Sequence, residues 1–213
     1  TLCQPPSYGL YRRTGDIIAP DPYPVGHAQP LAHVSRCMVS LNKSLQGDRP
    51  LWGVPQAFGG YSSWDVPTPE ESRNMTYQFL VHGARGLIYY TYWDGSFDMR
   101  DHPELWESLR RQVAEVQKLA PVLLSPEEDV VREQGPDGIV QTRWQPHEGR
   151  FYLIAVNAGE GDLGAVTLDI PLDRPGILRG VFDEIEAPVA DGRVQLDMPA
   201  MAVRVLRLEP AQQ

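Results

Sequence analysis

The chain has 213 residues, of which 42% are hydrophobic and 22% charged, enough for one good-sized domain or two small ones and unlike a disordered chain. A formal net charge of -9, with no cluster of Lys or Arg, excludes a nucleic-acid partner, because phosphate binding needs a concentrated basic surface. No apolar stretch approaches the roughly 20 residues of a membrane helix, so no membrane partner is expected.

The chain opens on Thr1 rather than Met, which predicts processing or a piece of a longer protein. Cys3 and Cys37 are too few for a disulfide framework and lack the spacing of a zinc site; they read as free thiols and leave the compartment open. Ser7 to Arg13 predicts a short surface helix or turn. Asp16 to Ala19 is a candidate strand, stopped by Pro20, Pro22 and Pro24, whose missing donors and fixed φ send the chain out as a rigid extended loop. Asp21 is thereby held at the carboxyl end of a strand. Leu31, Val34, Met38, Leu41 and Leu45 fall three or four apart, one stripe of a helix over 30–45.

Leu51 to Phe58 is the second candidate strand, with Pro55 predicting that regular pairing ends near Val54 or bulges there. Thr68, Pro69 and Glu71 form a helix start, with an N-cap, a proline in the first turn and a capping box. That helix should run to Val81, turning Met75, Phe79, Thr76 and His82 inward. Leu87 to Tyr92 is a run of large apolar and aromatic residues without alternation, bounded by Gly86 and Asp94-Gly95, and predicts a central parallel strand covered on both faces. Leu105, Leu109, Val113, Val116 and Leu119 then repeat at helical spacing, with Trp106 widening the stripe.

After Pro121 the pattern changes to short runs separated by turn signals, among them 135–138, 147–149, 158–164, 173–176 and 191–192. The runs are 139–144, 151–157, 165–170, 180–182, 194–196 and 202–208, the last with a slip or bulge between Val205 and Leu206. This spacing predicts an antiparallel β-sandwich of about 90 residues. Before it, three strand-helix units fit between Asp16 and Ala120, in the order of a parallel α/β fold. A closed eight-stranded barrel takes roughly 250 residues, so fewer than half of its strands are here.

The order and spacing of Asp21-Pro22-Tyr23-Pro24, of Pro50 to Gln56, of Thr68-Pro69-Glu70-Glu71 and of Ala84 to Tyr90 resemble the last part of a glycoside hydrolase TIM barrel followed by its small β-sandwich. The resemblance covers nearly the whole chain. It implies an α/β plus all-β protein: a partial (β/α) barrel over 1–122 carrying strands six to eight, and a C-terminal β-sandwich over 123–213. It implies a carbohydrate ligand and hydrolysis of a glycosidic bond by two carboxyl groups, or, alternatively, a non-catalytic carbohydrate-binding or structural fragment. In such enzymes the acid sits on strand four, which is missing here. The strand-seven position holds Gln56, whose amide neither attacks as a carboxylate nor exchanges a proton.

Asp21 and Asp94 are the candidate catalytic carboxylates. The alternative for each is a turn residue, Asp21 between prolines and Asp94 opening an Asp-Gly turn. Tyr23, Gln56, Trp64, Tyr92 and Trp93 are the candidate substrate-binding residues, since apolar sugar faces stack on aromatic rings. Asp21, Gln56, Tyr92, Trp93 and Asp94 are expected to converge where neighbouring parallel strands end. The five histidines lack metal-ligand spacing, and no G-x-S-x-G elbow or phosphate-binding glycine loop occurs, so neither metal nor cofactor is expected. Three parallel strands leave an uncovered inner face, and each large side chain left exposed forgoes roughly 1.5 to 3 kcal/mol. A partner is therefore expected: a second copy in a homodimer, or a missing N-terminal half of the barrel.

Overall fold

The computed structural model describes residues 5–172 and 175–210; Cys3 and the start of the turn signal at Asp173 lie outside them. Cα proximity divides the chain into two units, Thr1–Ala114 and Glu115–Gln213. No described helix is long and apolar enough to cross a membrane.

In the first unit three extended segments lie parallel, joined by bridges between Ile18 and Leu51, Gly53 and Leu87, and Gln56 and Tyr90. The middle segment is Leu51 to Ala57, not Leu87 to Tyr92. It is bonded on one side through Trp52 N–H to Ile18 O (3.0 Å) and Val54 N–H to Pro20 O (3.1 Å), and on the other through Gly53 N–H to Gly86 O (2.8 Å) and Ala57 N–H to Tyr90 O (2.6 Å). Pro55 does not end the alignment at Val54. Its carbonyl still accepts from Tyr90 N–H at 3.2 Å, and the ladder loses only the bond for which proline has no donor.

The helices are α1 (Tyr8–Tyr11), α2 (His33–Leu45), α3 (Pro69–Val81) and α4 (Pro103–Leu123). The α2 stripe is as the spacing predicts: Val34, Met38, Leu41 and Leu45 are all buried. At α3 the Thr68 side chain accepts from Glu71 N–H, and the Glu71 carboxylate accepts from Thr68 N–H at 2.8 Å, a complete capping box. Gly53 lets α3 lie against the sheet, since a Cβ there would stand 2.5 Å from the Phe79 ring. Between the helices runs a buried polar network. Gln78 accepts from Ser35 N–H (2.9 Å) and Oγ (2.7 Å) and donates to Leu31 O (3.1 Å), while Gln112 accepts from Thr76 Oγ1 (2.8 Å) and donates to Ser72 Oγ (3.1 Å). Gln112 thus occupies the inner side of α4, and Val113 and Trp106, read as part of its apolar stripe, are exposed.

The third segment is also not covered on both faces. Ile88 is 50% and Tyr90 42% exposed, while their neighbours Leu87 and Tyr89 are half-buried. The run hides a period-2 alternation because both faces carry apolar or aromatic residues.

The second unit is one antiparallel sheet of eight strands: β1 (Val130–Gln134), β2 (Val140–His147), β3 (Arg150–Asn157), β4 (Ala165–Asp169), β5 (Gly176–Gly180), β6 (Glu186–Ala190), β7 (Arg193–Asp197) and β8 (Val203–Pro210). The order is β1-β2-β3-β8-β5-β6-β7-β4, a continuous ladder where the turn spacing predicts two stacked sheets. It wraps one core that includes Trp144, Leu153, Leu168, Leu178, Leu196 and Leu206. Strand β8 has no slip: its register to β3 is unbroken from Val203, opposite Val156, to Leu208, opposite Phe151. Val205 and Leu206 are adjacent and both buried because the strand is covered on both faces.

Candidate functional site

The three parallel segments run out at Pro20, Ala57 and Tyr90, and the loops that follow meet through Gln56. Its side chain has no exposed surface. The amide oxygen accepts from Val25 N–H at 3.0 Å, and the amide nitrogen faces the carbonyls of Val25, Phe58 and Asp65, each at 3.1 Å. Gln56 therefore stands as a clamp on the main chain of two loops rather than as a group turned to a ligand. Two glycines allow the loops to close this tightly. A Cβ on Gly26 would fall 2.2 Å from Asp65 N and one on Gly59 2.2 Å from the Asp65 carbonyl carbon.

Above the clamp lies an aromatic cluster drawn from all three loops. Tyr23 and Tyr90 stack with centroids 6.0 Å apart, and both meet Phe58 edge-on, at 5.0 and 5.4 Å. Trp64 packs edge-on against Phe58 at 5.4 Å and stacks on His27 at 5.2 Å, with the His27 ring tied by Nδ1 to Ser63 Oγ at 2.7 Å. Tyr61 tilts against Phe58 at 5.7 Å and donates its hydroxyl to Asp94 Oδ2 at 2.7 Å.

Asp94 is both a turn residue and part of this cluster. Its Oδ1 accepts from Ser96 N–H and Phe97 N–H, each at 2.9 Å. Partial burial pushes its pKa up, but the hydrogen bonds from Tyr61, Ser96, Phe97 and Tyr90 outweigh that and hold it below the usual carboxylate value. Burial and the adjacent Asp94 carboxylate push the Tyr61 phenol up to about 12. At neutral pH the pair is an ionised carboxylate held by a neutral phenol, a hydrogen-bond acceptor with no proton to give.

Asp21 lies on the α2 side. It is half-buried, with Oδ1 shielded from solvent, and its charge reaches Cys37, a free, fully buried thiol on α2. Burial raises the Cys37 pKa, a hydrogen bond with Tyr8 lowers it and Asp21 raises it again. The other two predicted residues leave the cluster. Tyr92 meets Trp106 of α4 edge-on at 5.9 Å, and Trp93 stands 63% exposed, bridged to Asp98 across the third loop. Tyr23, Trp64 and Asp94 thus share a neighbourhood that sequence reasoning named in part. Phe58 and Tyr90 went unassigned to it, and only the strand register that points Gln56, Phe58 and Tyr90 to one side could have found them. Among the described residues no group of three or more His, Cys, Asp or Glu is placed to hold a metal ion.

No family model matches the chain, and no curated protein matches it in sequence. Its fold is similar to that of glycoside hydrolases. A noncanonic maltogenic α-amylase, AmyB from Thermotoga neapolitana, superposes with a TM-score of 0.59 at 15% identity, over 92% of this chain and 51% of that one. A variant of AmyP in complex with maltotriose gives 0.58 at 10%, over 91% and 51%. A variant of a GH27 β-L-arabinopyranosidase from Geobacillus stearothermophilus, in complex with arabinose, gives 0.52 at 11%, over 98% and 62%. The chain therefore spans between half and two thirds of these proteins, and at such identities the likeness is one of fold.

Proposed function

We propose that this chain is the C-terminal part of a glycoside hydrolase of the (β/α) barrel kind, residues 1–122 supplying the last three strand-helix units and residues 123–213 an accessory β-domain. The observation that carries the reading is the joining of Tyr23, Phe58, Tyr61, Trp64, Tyr90 and Asp94 at the carboxyl end of three parallel segments. In α/β folds ligands meet the protein at that end. Exposed parts of Tyr90, Trp64 and Trp93 offer faces on which a sugar ring stacks, and the ionised Asp94 accepts hydrogen bonds from sugar hydroxyls. The substrate class is an oligo- or polysaccharide, and α-glucans such as maltotriose are the first ligands to try.

Hydrolysis needs a proton donor and a second carboxylate across the bond. Asp94, held ionised, serves as stabiliser or nucleophile and not as the acid. Asp21, beside the buried Cys37, is the other carboxylate this chain offers, and the acid comes from strands outside it. The second reading, carbohydrate binding without catalysis, is favoured by the engagement of both Asp94 oxygens and by Gln56 in place of a carboxylate.

Calorimetric titration with maltotriose and arabino-oligosaccharides, beside an aryl-glycoside assay, tests both. Binding that weakens about tenfold or more in Trp64→Ala, a loss of roughly 1.4 kcal/mol, supports the site. Turnover lost in Asp21→Asn or Asp94→Asn, measured in a protein that also carries the strands supplying the acid, assigns catalysis, and binding without turnover in that protein selects the second reading. No heat with any glycan removes the proposal.

A further inference from the structure

The aromatic cluster at the carboxyl end of the three segments grades from core to surface. Phe58 at its centre is 2% exposed, Trp64 is half-buried, and His27, stacked on Trp64 at 5.2 Å with the planes 21° apart, is exposed. Phe58 and Tyr61 stand edge-on to Trp64, their planes at 62° and 68° to it, so the ring laid flat against the indole is the imidazole. Trp64 keeps its own donor out of reach, since Nε1 is shielded from solvent. What this wall of the cluster turns to a ligand is therefore His27, an aromatic ring that also carries hydrogen-bonding atoms.

The backbone holds that ring in place. His27 lies in a turn closed by its own N–H on Pro24 O (3.1 Å), and Trp64 in a turn closed by its N–H on Tyr61 O (3.2 Å). Asp65 N–H ties the two loops together at Val25 O (3.3 Å), through the same two residues that Gln56 clamps. The His27 side chain is anchored as well, with Nδ1 on Ser63 Oγ at 2.7 Å. A bond at one ring nitrogen sets the orientation of the imidazole and the tautomer that the other nitrogen presents. A sugar hydroxyl both donates and accepts, so it pairs with that nitrogen in either tautomer.

We propose that His27 is a specificity-determining contact of this site, bonding a sugar hydroxyl through Nε2 while Trp64 backs the ring and Ser63 orients it. The inference rests on the sugar-binding reading of the cluster and names what the first loop recognises there, a free hydroxyl at the edge of the sugar. Both loops that build the contact belong to this chain. Binding through a ring already fixed by its neighbours loses little side-chain freedom, which is the advantage of preorganisation.

Calorimetric titration of the full chain with maltotriose, with circular dichroism to follow folding, tests the contact in His27→Phe, His27→Ala and Ser63→Ala. Phenylalanine keeps a ring against Trp64 and removes both nitrogens, so His27→Phe and His27→Ala should each weaken binding about tenfold, and Ser63→Ala about threefold. Imidazole nitrogen-15 NMR on the unaltered chain reads the same contact without relying on a variant to fold: maltotriose should shift Nε2 of His27 and leave Nδ1 nearly in place. Affinity unchanged in His27→Phe would make the ring a stacking surface only. Affinity raised in His27→Ala would make it a cover over Trp64. Either result, or an unshifted Nε2 at saturating maltotriose, would overturn this inference and leave the sugar site standing, whereas a wild-type chain that binds no glycan would overturn both.

Discussion

Three buried amides show how single residues fix loops in this chain. Gln56 clamps two loops of the first unit, Gln78 ties α2 to α3, and in the second unit Asn157 donates to Gly161 O (2.9 Å), Met198 O (3.2 Å) and Pro199 O (2.8 Å) while accepting from Gly159 N–H (3.0 Å). An amide suits this work because it donates and accepts at once, whereas a carboxylate only accepts. Gln56→Glu, the change that would place a carboxylate on the middle segment, should therefore destabilise. It removes both donors and sets a buried charge against the carbonyls of Val25, Phe58 and Asp65, at a cost of about 2–4 kcal/mol. Urea unfolding reads this directly, and an unchanged midpoint would remove Gln56 from its role as clamp. The Tyr61–Asp94 pair makes a pH prediction of two limbs. Asp94, with its folded pKa depressed, contributes stability that is present above its unfolded value and lost as pH falls through the folded one. Tyr61, with its folded pKa raised to about 12, contributes stability present below the ordinary phenol value near 10 and lost as pH rises through 12. Tyr61→Phe should erase the alkaline limb and move the Asp94 titration, followed by carboxyl-detected NMR, up toward its usual value.

At the scale of elements, what the sequence made legible were features whose signal is local. The Thr68 capping box needs four consecutive residues, and the α2 stripe needs only the helical period; both are found where the pattern puts them. The order of strands was not legible in the same way. Leu87 to Tyr90 is richer in apolar residues than Leu51 to Ala57, so composition favours it as the central strand, yet backbone pairing places it at the edge. Strands β1 and β6 escaped because each shows the core little, and β5 (Gly176–Gly180) was missed as well, the run expected over 180–182 falling on the bend that follows it. In β6 only Ala187 and Val189 are buried, and Pro188 counts against a strand. The candidate site divides likewise: Asp94 and Trp64 lie in recognisable loops, whereas Phe58 and Tyr90 join them through register, which is a tertiary property. Close packing of α3 on the sheet gives the test at this scale. Gly53→Ala drives a methyl into the fully buried Phe79 and should cost about 1–3 kcal/mol, while Gly9→Ala, with no atom within 4 Å of its added Cβ, should not destabilise. Equal thermal midpoints for the two variants would contradict this contact between α3 and the sheet.

At the scale of a whole unit, the second one meets a problem common to every open sheet, two edge strands with unpaired backbone. Its edges are β1 and β4, at opposite ends of the eight-strand order. They are not left apart. The side chain of Gln134 on β1 accepts from Asp169 N–H on β4 at 2.7 Å and donates to Asp169 O at 3.1 Å, with a second bond from its amide nitrogen to Thr142 Oγ1 at 2.9 Å. One side-chain amide thus copies the two bonds a neighbouring strand would make, and the curled sheet closes through it. This explains how a single ladder encloses the core that the turn spacing assigns to two stacked sheets: curvature brings the inner faces of β2, β3 and β8 onto those of β4 to β7. Closure through one residue is weaker than through a full strand pair. Gln134→Ala should lower global stability by only about 1 kcal/mol, since Val140, Leu153 and Leu206 stay buried, while the Asp169 amide loses its acceptor outright. Native-state hydrogen exchange should then show Asp169 exchanging much faster, with Leu168 N–H and Val194 N–H, inside the β4–β7 pairing, nearly unchanged. Fast exchange spreading along the whole of β4 would mean that Gln134 holds the strand rather than the seam, and protection retained at Asp169 would mean that the seam closes without it.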